Sequence, residues 1–178
     1  MKRLLFWFTG GAACLVVVLT VVIWLGLRAS LPQLDGEVSV AGLISPVSVE
    51  RDADGIPVLT ASNRKDLAFA TGYVHGQDRF FQMDLIRRQA AGELSALVGA
   101  AAIGVDKRNR FHRFRTRAQS VWDRATDQDK SLLEVYAAGV NAGLQSLSAR
   151  PFEYFVLGSD PTPWQAQDSL LVMYAMYM

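Results

Sequence analysis

Residues 47–62 read VSVERDADGIPVLTAS, and residues 66–99 read DLAFATGYVHGQDRFFQMDLIRRQAAGELSALVG. In the first stretch, apolar and polar residues alternate on both sides of the turn sequence Asp52–Gly55, which is typical of two short strands joined by a tight turn. In the second, apolar residues recur at helical spacing, and Asn63 or the serine before it can serve as the N-cap. The block therefore predicts a β-hairpin that leads into one long helix over residues 64–91.

The rest of the chain is predicted to be mainly helical. Thr126 is a good N-cap for a helix over residues 127–147, and Asp168 begins a last apolar helix that runs to the final residue. Between them, residues 151–164 carry proline and glycine and indicate a loop or a short helix. An apolar last helix exposes its surface unless another segment covers it. We therefore expect this chain to be one piece of a longer polypeptide.

An apolar run at the N-terminus, residues 4–27, carries no ionisable side chain other than Cys14. As a helix it would span roughly 36 Å, enough to cross a hydrocarbon core of about 30 Å. We therefore predict a signal anchor, meaning a transmembrane helix within residues 1–28, followed by a linker over residues 29–46. A cleaved signal peptide and a buried core helix are the alternatives, and the length of the run favours the anchor.

The charges that flank this run predict its orientation. Lys2 and Arg3 precede it, and Arg28 alone follows it. Because positively charged residues favour the cytoplasmic side, we expect a single-pass protein of the inner membrane with a cytoplasmic N-terminus. The remainder would lie in the periplasm or another extracytoplasmic space, where nucleic acid is not expected as a partner.

No metal site is predicted in this chain. His75 and His112 are the only histidines, and they do not occur at a spacing typical of metal ligands. The pair Asp52 and Asp54 lacks the later positions of a calcium loop and indicates an Asx-type turn. The single cysteine excludes an intrachain disulfide.

The long helix is dense in polar residues that allow two interpretations. Asp84 and Arg88 are spaced i,i+4 on one face, and His75 shares a face with Arg79 while Asp78 lies beside it. A catalytic interpretation would make His75 or Asp78 an acid or base. However, a nucleophile–base pair needs Ser, Thr or Cys next to the histidine, and the sequence places none there. We favour the interpretation that these groups join the helix to its neighbours by buried hydrogen bonds.

Residues 106–117, DKRNRFHRFRTR, form the strongest charge feature. Basic residues interleaved with aromatic ones suit contacts with phosphate and bases, and contact with anionic lipid or a partner subunit is another interpretation. We favour a solvated or salt-bridged face, because acidic residues that could act as partners come next in the sequence, namely Asp123, Asp127, Asp129 and Glu134.

Four pieces of the chain, in order and at matching spacing, resemble signature segments of the penicillin acylase family, a group of N-terminal-nucleophile hydrolases. VERDADGIPVLTA resembles the family's RD-x-x-G-[IV]-P hairpin, and residues 66–99 resemble its helix with the pattern H-A-Q-D-R-L-[FW]-Q-M-[DE]-x-x-R-R. YAAGVNAGL at residues 136–144 and FVLGSDPTPWQAQDS at residues 155–169 complete the set. Gly76 stands where the family usually has Ala, which we treat as a small change, and the FHRF stretch is more basic than is common there.

The resemblance implies a four-layer αββα sandwich built from an α and a β chain that a precursor makes by cleaving itself. Residues 47–178 would be an incomplete α chain. The nucleophile would be the N-terminal Ser of the β chain, so no catalytic residue is expected here. Tyr177 falls where the first residue lining the acyl pocket would match. No cofactor is implied for this fragment, and calcium is an option for the complete protein. The family-motif residues expected to have structural roles are Asp52, Gly55, Pro57, His75, Gln77, Asp78, Arg79, Gln82, Asp84 and Arg87.

Two functions remain open at this point. The first is the N-terminal part of a membrane-anchored amidohydrolase that acts on a small linear amide, of the β-lactam side-chain, acyl-homoserine lactone or N-acyl amino acid type. Its partners would be the β chain of the same precursor and the membrane around residues 4–27, and this fragment alone would be inactive. The second is a truncated, non-catalytic anchored interaction module. A Gly-Ser processing junction beyond Met178 in the gene would favour the first.

Overall fold

The computed structural model describes the backbone of residues 2–177 and the side chains of residue 11 and of residues 14–177. The described chain is mostly helical and carries one two-stranded sheet, which confirms the α+β class and the order of hairpin before helices. The elements are α1 (Lys2–Ala29), β1 (Ser48–Arg51), β2 (Pro57–Thr60), α2 (Arg64–Ala91), α3 (Ser95–Val98), a 3-10 turn (Ala100–Ala102), α4 (Ile103–Arg110), α5 (Phe114–Arg124), α6 (Asp127–Ser146), α7 (Phe152–Leu157) and α8 (Ala166–Ala175). The αββα sandwich stays an expectation for the complete protein.

Helix α1 contains the predicted membrane anchor. Most of its side chains from Leu15 to Leu27 are exposed, and its last residue is tied to the body of the protein where the Ala149 amide donates to the Ala29 carbonyl over 3.0 Å. Among the residues that the structure describes, no helix combines the length and the apolar character needed to cross a membrane. The side chains of residues 4–10, 12 and 13 lie outside the described part, and both the span at 4–27 and the linker boundaries stay predictions.

The hairpin forms as the alternating pattern predicts. Strands β1 and β2 are antiparallel, with Ser48 opposite Thr60 and Arg51 opposite Pro57. The Asp52 carboxylate accepts hydrogen bonds from the amides of Asp54 and Ile56 at 3.0 and 2.8 Å, which closes the turn. Gly55 lies in the left-handed region with φ of 77°, a conformation that side chains disfavour. Asp52 is therefore a turn residue, as the Asx-type interpretation predicted.

Helix α2 has the predicted bounds but is not straight. The Asn63 side chain accepts from the Asp66 amide at the N-terminus, and Gly92 ends the helix in a left-handed conformation with φ of 70°. The backbone leaves helical geometry at Arg79, with φ of −148° and ψ of 27°. Sequence periodicity did not predict this kink. It separates the part of α2 that packs closely on α6 from the part that reaches α8.

Helices α2 and α6 pack with their backbones in contact, because two glycines on each helix leave no side chain between them. Residues further along α2 contact residues further along α6, so the two helices are parallel in this stretch. A β-carbon at any of the four positions would collide with a carbonyl oxygen of the facing helix: Gly72 with Tyr136, Gly76 with Val140, Gly139 with Phe69, and Gly143 with Tyr73. Replacing Ala by Gly at position 76 is therefore not a small change in this packing.

Two apolar clusters lie beside this contact. The larger one centres on Phe80 and Val140, which are fully buried, and includes Met83, Leu97, Ala137, Tyr154 and Trp164. The smaller one joins α2, α5 and α8 through Ala90, Ala118 and Leu171. Helix α8 is capped by Gln165 and Asp168, whose side chains and backbone amides bond reciprocally. Together these clusters hold α2 at the centre of the helical part.

Replacing Gly139 by Ala is expected to lower the free energy of unfolding by about 1–3 kcal/mol, because the added methyl group must push α2 and α6 apart. Urea unfolding of the 178-residue chain, followed by far-UV circular dichroism, measures the change. The matched control is Gly104→Ala, since the nearest atom to a β-carbon there is Arg108 Nη1 at 3.8 Å. We expect that control to be neutral or to stabilise by up to about 1 kcal/mol, and equal effects of the two variants would contradict the packing argument.

Candidate functional site

An ion pair between Arg51 and Asp78 joins the hairpin to α2. Arg51 Nη2 donates to both carboxylate oxygens of Asp78 at 2.9 Å, and Arg51 Nη1 donates to the Gly55 carbonyl at 3.1 Å. Both charged side chains are largely buried. The arginine of the hairpin motif and the aspartate of the helix motif therefore meet in space although they are 27 residues apart. Asp78 is occupied by this pair, which disfavours the interpretation of Asp78 as a free catalytic acid or base.

A buried ionic cluster lies at the C-terminal half of α2 and joins it to α8. Arg87 Nε donates to Asp84 Oδ1 at 2.7 Å, and Arg87 Nη1 donates to Asp168 Oδ2 at 2.5 Å. Asp84 is completely buried, and Arg87 and Asp168 are nearly so. Arg88 Nε donates to the same Asp84 oxygen at 2.8 Å, which confirms the predicted i,i+4 pair. Asp84 and Asp168, the two buried carboxylates of this cluster, therefore each have a cationic partner, which offsets the cost of burying their charge.

Further hydrogen bonds satisfy the remaining groups of this cluster. Tyr154 donates its hydroxyl proton to Asp84 Oδ2 at 2.7 Å, and the Gln165 amide donates to Asp168 Oδ2 at 2.9 Å. Arg87 also donates to the carbonyls of Thr162 and Pro163. Burial, together with the Asp84 hydrogen bond, raises the pKa of Tyr154 above its ordinary value. The tyrosine therefore stays a proton donor, and the cluster holds the 162–168 segment against α2.

His75 occupies a smaller, half-buried polar contact with α6. Its Nδ1 lies 2.9 Å from the Tyr136 hydroxyl. Burial lowers the pKa of His75, and the Arg79 cation adds to the effect while Asp78 opposes it. Burial also raises the pKa of Tyr136 to about 12. A neutral imidazole next to a neutral phenol suits a hydrogen bond between two helices. Among the described side chains, no Ser, Thr or Cys hydrogen-bonds to His75.

The other predicted motif residues lie at different places. Gln77 donates to Ser146 Oγ at 2.9 Å and so joins α2 to the end of α6. Arg79 and Gln82 are exposed on α2, and Tyr177 is 82% exposed after α8. The structure therefore gathers Asp84 and Arg87 into one site and joins Asp78 to the hairpin, but it does not bring Tyr177 to either. Whether these residues act as predicted in the complete protein stays open to experiment.

Several residues of the site were not predicted from the sequence. Asp66, in the first turn of α2, accepts with its carboxylate from the amides of Ile44 and Ser45 at 2.7 and 2.9 Å. The hydrogen bond from Ile44, followed by those from Asn63 and Ser45, lowers the pKa of Asp66 although burial opposes the shift. Arg51 carried no signal beyond its presence in the hairpin motif, and Tyr154 lies just outside the quoted motifs, because the partners of both residues are remote in sequence.

An open cavity of about 440 Å³ lies between the 33–47 segment, β1 and α2. Its lining is apolar at Val40, Val49 and Phe69 and polar at Arg51 and Gln77. None of its lining residues is Ser, Thr, Cys or His, so this cavity holds no nucleophile–base pair. Among the described side chains, no group of three or more His, Cys, Asp or Glu residues comes together as a metal site would need.

The charged stretch at residues 106–117 does not form the salt bridges expected from its neighbours in sequence. Arg115 pairs with Glu93, with both nitrogen–oxygen distances at 2.7 Å, and lies 3.4 Å from Asp168. Asp123 instead accepts from Gln119, and Asp129 accepts from Thr126. Within the described part of the chain, none of the four downstream acids predicted as partners pairs with an arginine of the stretch. The predicted pairing was therefore wrong, whereas most side chains of the stretch are exposed, as the favoured interpretation of a solvated face predicts.

Comparisons with known proteins agree with this architecture. A family model described as penicillin amidase matches residues 46–178. The penicillin acylase 2 proenzyme of Pseudomonas sp. (strain SE83) is 42% identical over 147 residues, which are 83% of this chain and 19% of that proenzyme. The acyl-homoserine lactone acylase QuiP of Pseudomonas aeruginosa is 36% identical over 144 residues, which are 80% of this chain and 17% of that protein.

A solved structure shares the fold. A chain of the thermostable penicillin G acylase from Alcaligenes faecalis superposes with a TM-score of 0.66 at 27% identity, over 75% of this chain and 73% of that chain. The described residues therefore share part of the fold of that penicillin G acylase chain. The chain belongs to the penicillin amidase family, and it spans about a fifth of the length of the curated relatives that it matches.

The free energy of unfolding is expected to fall as the pH drops below 6.5, the ordinary pKa of histidine, because burial lowers the pKa of His75 in the folded chain. Below that pH the unfolded chain binds a proton at His75 that the folded chain does not. The contribution of His75 to stability is therefore present above pH 6.5 and is lost below it. Urea unfolding at several pH values from 7.5 to 5 measures the change.

His75→Gln removes the titrating group and is expected to flatten the pH dependence in that window. His112→Gln is the matched control, since His112 is exposed. Asp66 does not interfere, because its pKa is lowered from 3.8. If the free energy of unfolding varies with pH equally in His75→Gln and in the unchanged chain, His75 is not the group responsible.

Proposed function

We propose that this chain is the N-terminal part of an acylase that hydrolyses the linear amide bond between an acyl group and an amine. Membership of the penicillin amidase family over residues 46–178 carries the proposal. It is supported by relatives named as penicillin and acyl-homoserine lactone acylases. The substrate would be of the β-lactam side-chain, acyl-homoserine lactone or N-acyl amino acid type.

In this proposal the chain supplies a scaffold and the nucleophile lies in sequence outside it. The polar residues of α2 support this division, because His75, Asp78 and Asp84 are each occupied by a structural partner. The residue that attacks the amide would be the N-terminal Ser of a β chain made from the same precursor, and one relative is itself named a proenzyme. Calcium, where the complete protein binds it, would use ligands outside this chain.

The exposed apolar side chains of α8 and its end suit a contact with that β chain. Met173, Met176 and Tyr177 are all more than half exposed, and apolar groups that project together leave surface for a partner to cover. In the complete enzyme we place Tyr177 at the wall of the acyl pocket. The same exposed surface favours the alternative function, an interaction module without catalysis, so activity has to separate the two.

We expect the 178-residue chain alone to show no turnover of a chromogenic acyl amide. A chimera supplies the missing part: residues 46–178 replace the matching segment of the Pseudomonas proenzyme, which is 42% identical to this chain. The chimera is expected to be processed into two chains, seen by mass spectrometry, and to hydrolyse the amide that the parent hydrolyses.

A chimera carrying Arg87→Met is the control, because loss of the guanidinium leaves Asp84 and Asp168 buried with weakened pairing. We expect it to express poorly or to remain unprocessed. Turnover by the 178-residue chain alone would show that the nucleophile lies within it. A soluble chimera that is neither processed nor active would instead support the interaction module.

We also propose that residues 4–27 tether the protein to the inner membrane, with residues after α1 in the periplasm. The apolar sequence of the run and the exposed side chains from Leu15 to Leu27 support a tether. Carbonate extraction of cells that make the full chain tests it. We expect the chain in the membrane pellet and a Val18→Arg, Val22→Arg variant in the supernatant, and the same distribution for both variants would refute the tether.

A further inference from the structure

The connection between α4 and α5 presents an exposed aromatic ring surrounded by cations. We call residues 107–113 the basic turn. Phe111 at its tip is 87% exposed, the largest exposed fraction among the large apolar side chains that the structure describes. A single exposed apolar residue is ordinary on a protein surface. Phe111 differs because charged residues flank it on both sides and because the turn that presents it is held in place.

Three cations of the basic turn are available to a partner. Lys107, Arg108 and Arg113 are exposed, and within the described part of the chain none of them forms an ion pair or a side-chain hydrogen bond. Other arginines nearby are in use: Arg110 donates to the Gly92 carbonyl at 2.7 Å, and Arg115 pairs with Glu93. The turn therefore has a positive field that internal pairing does not cancel.

The nearest carboxylate is turned away from the cations. Asp106 is buried and accepts from the amides of Leu94 and Ser95, both at 2.8 Å. Burial alone would raise the pKa of Asp106, but the hydrogen bonds from Ser95 and Leu94 outweigh burial and lower it. Asp106 stays ionised as an anchor for the α3 region, so it fixes one end of the basic turn without neutralising its exposed side.

The other end is fixed by stacked rings. The His112 ring stacks on Phe114 with centroids 5.1 Å apart, and Phe114 stacks on Tyr174 of α8 at 4.9 Å. Arg113 is held in the left-handed region with φ of 54°, where residues other than glycine are strained. The surrounding contacts therefore keep the turn in one conformation. Phe111 meets the stack only through a T-shaped contact with His112, at 6.3 Å between centroids, and is otherwise exposed.

We propose that the basic turn binds the surface of an anionic phospholipid bilayer. Phe111 would enter the boundary between headgroups and acyl chains, and the three free cations would lie at the level of the lipid phosphates. Nucleic acid fits less well, because Phe114 is already stacked between His112 and Tyr174 and so offers no ring face to a base. This contact is separate from the tether at α1 and does not rest on the acylase function.

A dye at the tip of the turn tests the proposal in the full chain. Cys14→Ser removes the single cysteine, and Phe111→Cys then carries an environment-sensitive fluorophore in place of the ring. Vesicles of phosphatidylcholine are compared with vesicles that also contain phosphatidylglycerol. We expect a blue shift only with the anionic vesicles, and we expect about 1 M salt, which screens charges over about 3 Å, to abolish it. A dye at Gln128→Cys, an exposed position on α6, should not respond.

Two triple variants distinguish the charge of the basic turn from the overall charge of the chain. Both are made in the labelled chain that also carries Val18→Arg and Val22→Arg, so that α1 does not hold it to the vesicles. Lys107→Gln, Arg108→Gln, Arg113→Asn is expected to weaken partitioning to the anionic vesicles roughly 100-fold, at about fivefold for each cation. Arg64→Gln, Lys65→Gln, Arg124→Gln removes the same charge from exposed sites elsewhere and should leave the shift at residue 111 unchanged. Equal effects of the two triples, a shift with neutral vesicles, or tighter binding of the turn to a single-stranded oligonucleotide would each overturn the lipid assignment.

Discussion

Backbone contact between α2 and α6 sets the positions of the other elements in the helical part of this chain. Gly72 and Gly76 on one helix and Gly139 and Gly143 on the other leave no room for a β-carbon. Because the two backbones touch there, Val140, which follows Gly139, and Phe80, which lies just beyond Gly76, can meet at the centre of the main apolar cluster. The kink at Arg79 lies just beyond the point where Gln77 meets the end of α6, and the part of α2 that follows it reaches α8 through Arg87 and Asp168.

The polar residues on α2 connect this helix to three neighbouring segments through hydrogen bonds and ion pairs. Asp78 holds the hairpin, His75 and Gln77 hold α6, and the pair of Asp84 and Arg87 holds the 162–168 segment. A buried cluster of this kind adds little net stability over an apolar core, but breaking one of its pairs is costly. The cluster therefore specifies one arrangement of helices, and that arrangement is what a partner chain would meet.

Sequence reasoning succeeded where the physical signal was local. The hairpin, the N-cap at Asn63, the bounds of α2 and the N-cap at Thr126 all result from periodicity and capping chemistry within a few residues. It failed for the kink and for the acidic partners of the basic stretch, because neighbours in sequence were assumed to be neighbours in space. Glu93 and Asp168 pair with Arg115 instead, and helix packing alone brings them there.

The sequence by itself determined the family, the order of the elements and the residue types that the family motifs require, because those depend on pattern and spacing along the chain. Only the tertiary structure decided which of those residues meet. Arg51 and Asp78 are 27 positions apart, Asp84 and Tyr154 are 70 apart, and Arg87 and Asp168 are 81 apart. Such pairs depend on how the hairpin, α2, α7 and α8 pack in space, and contacts between remote segments leave no periodic signal in the sequence.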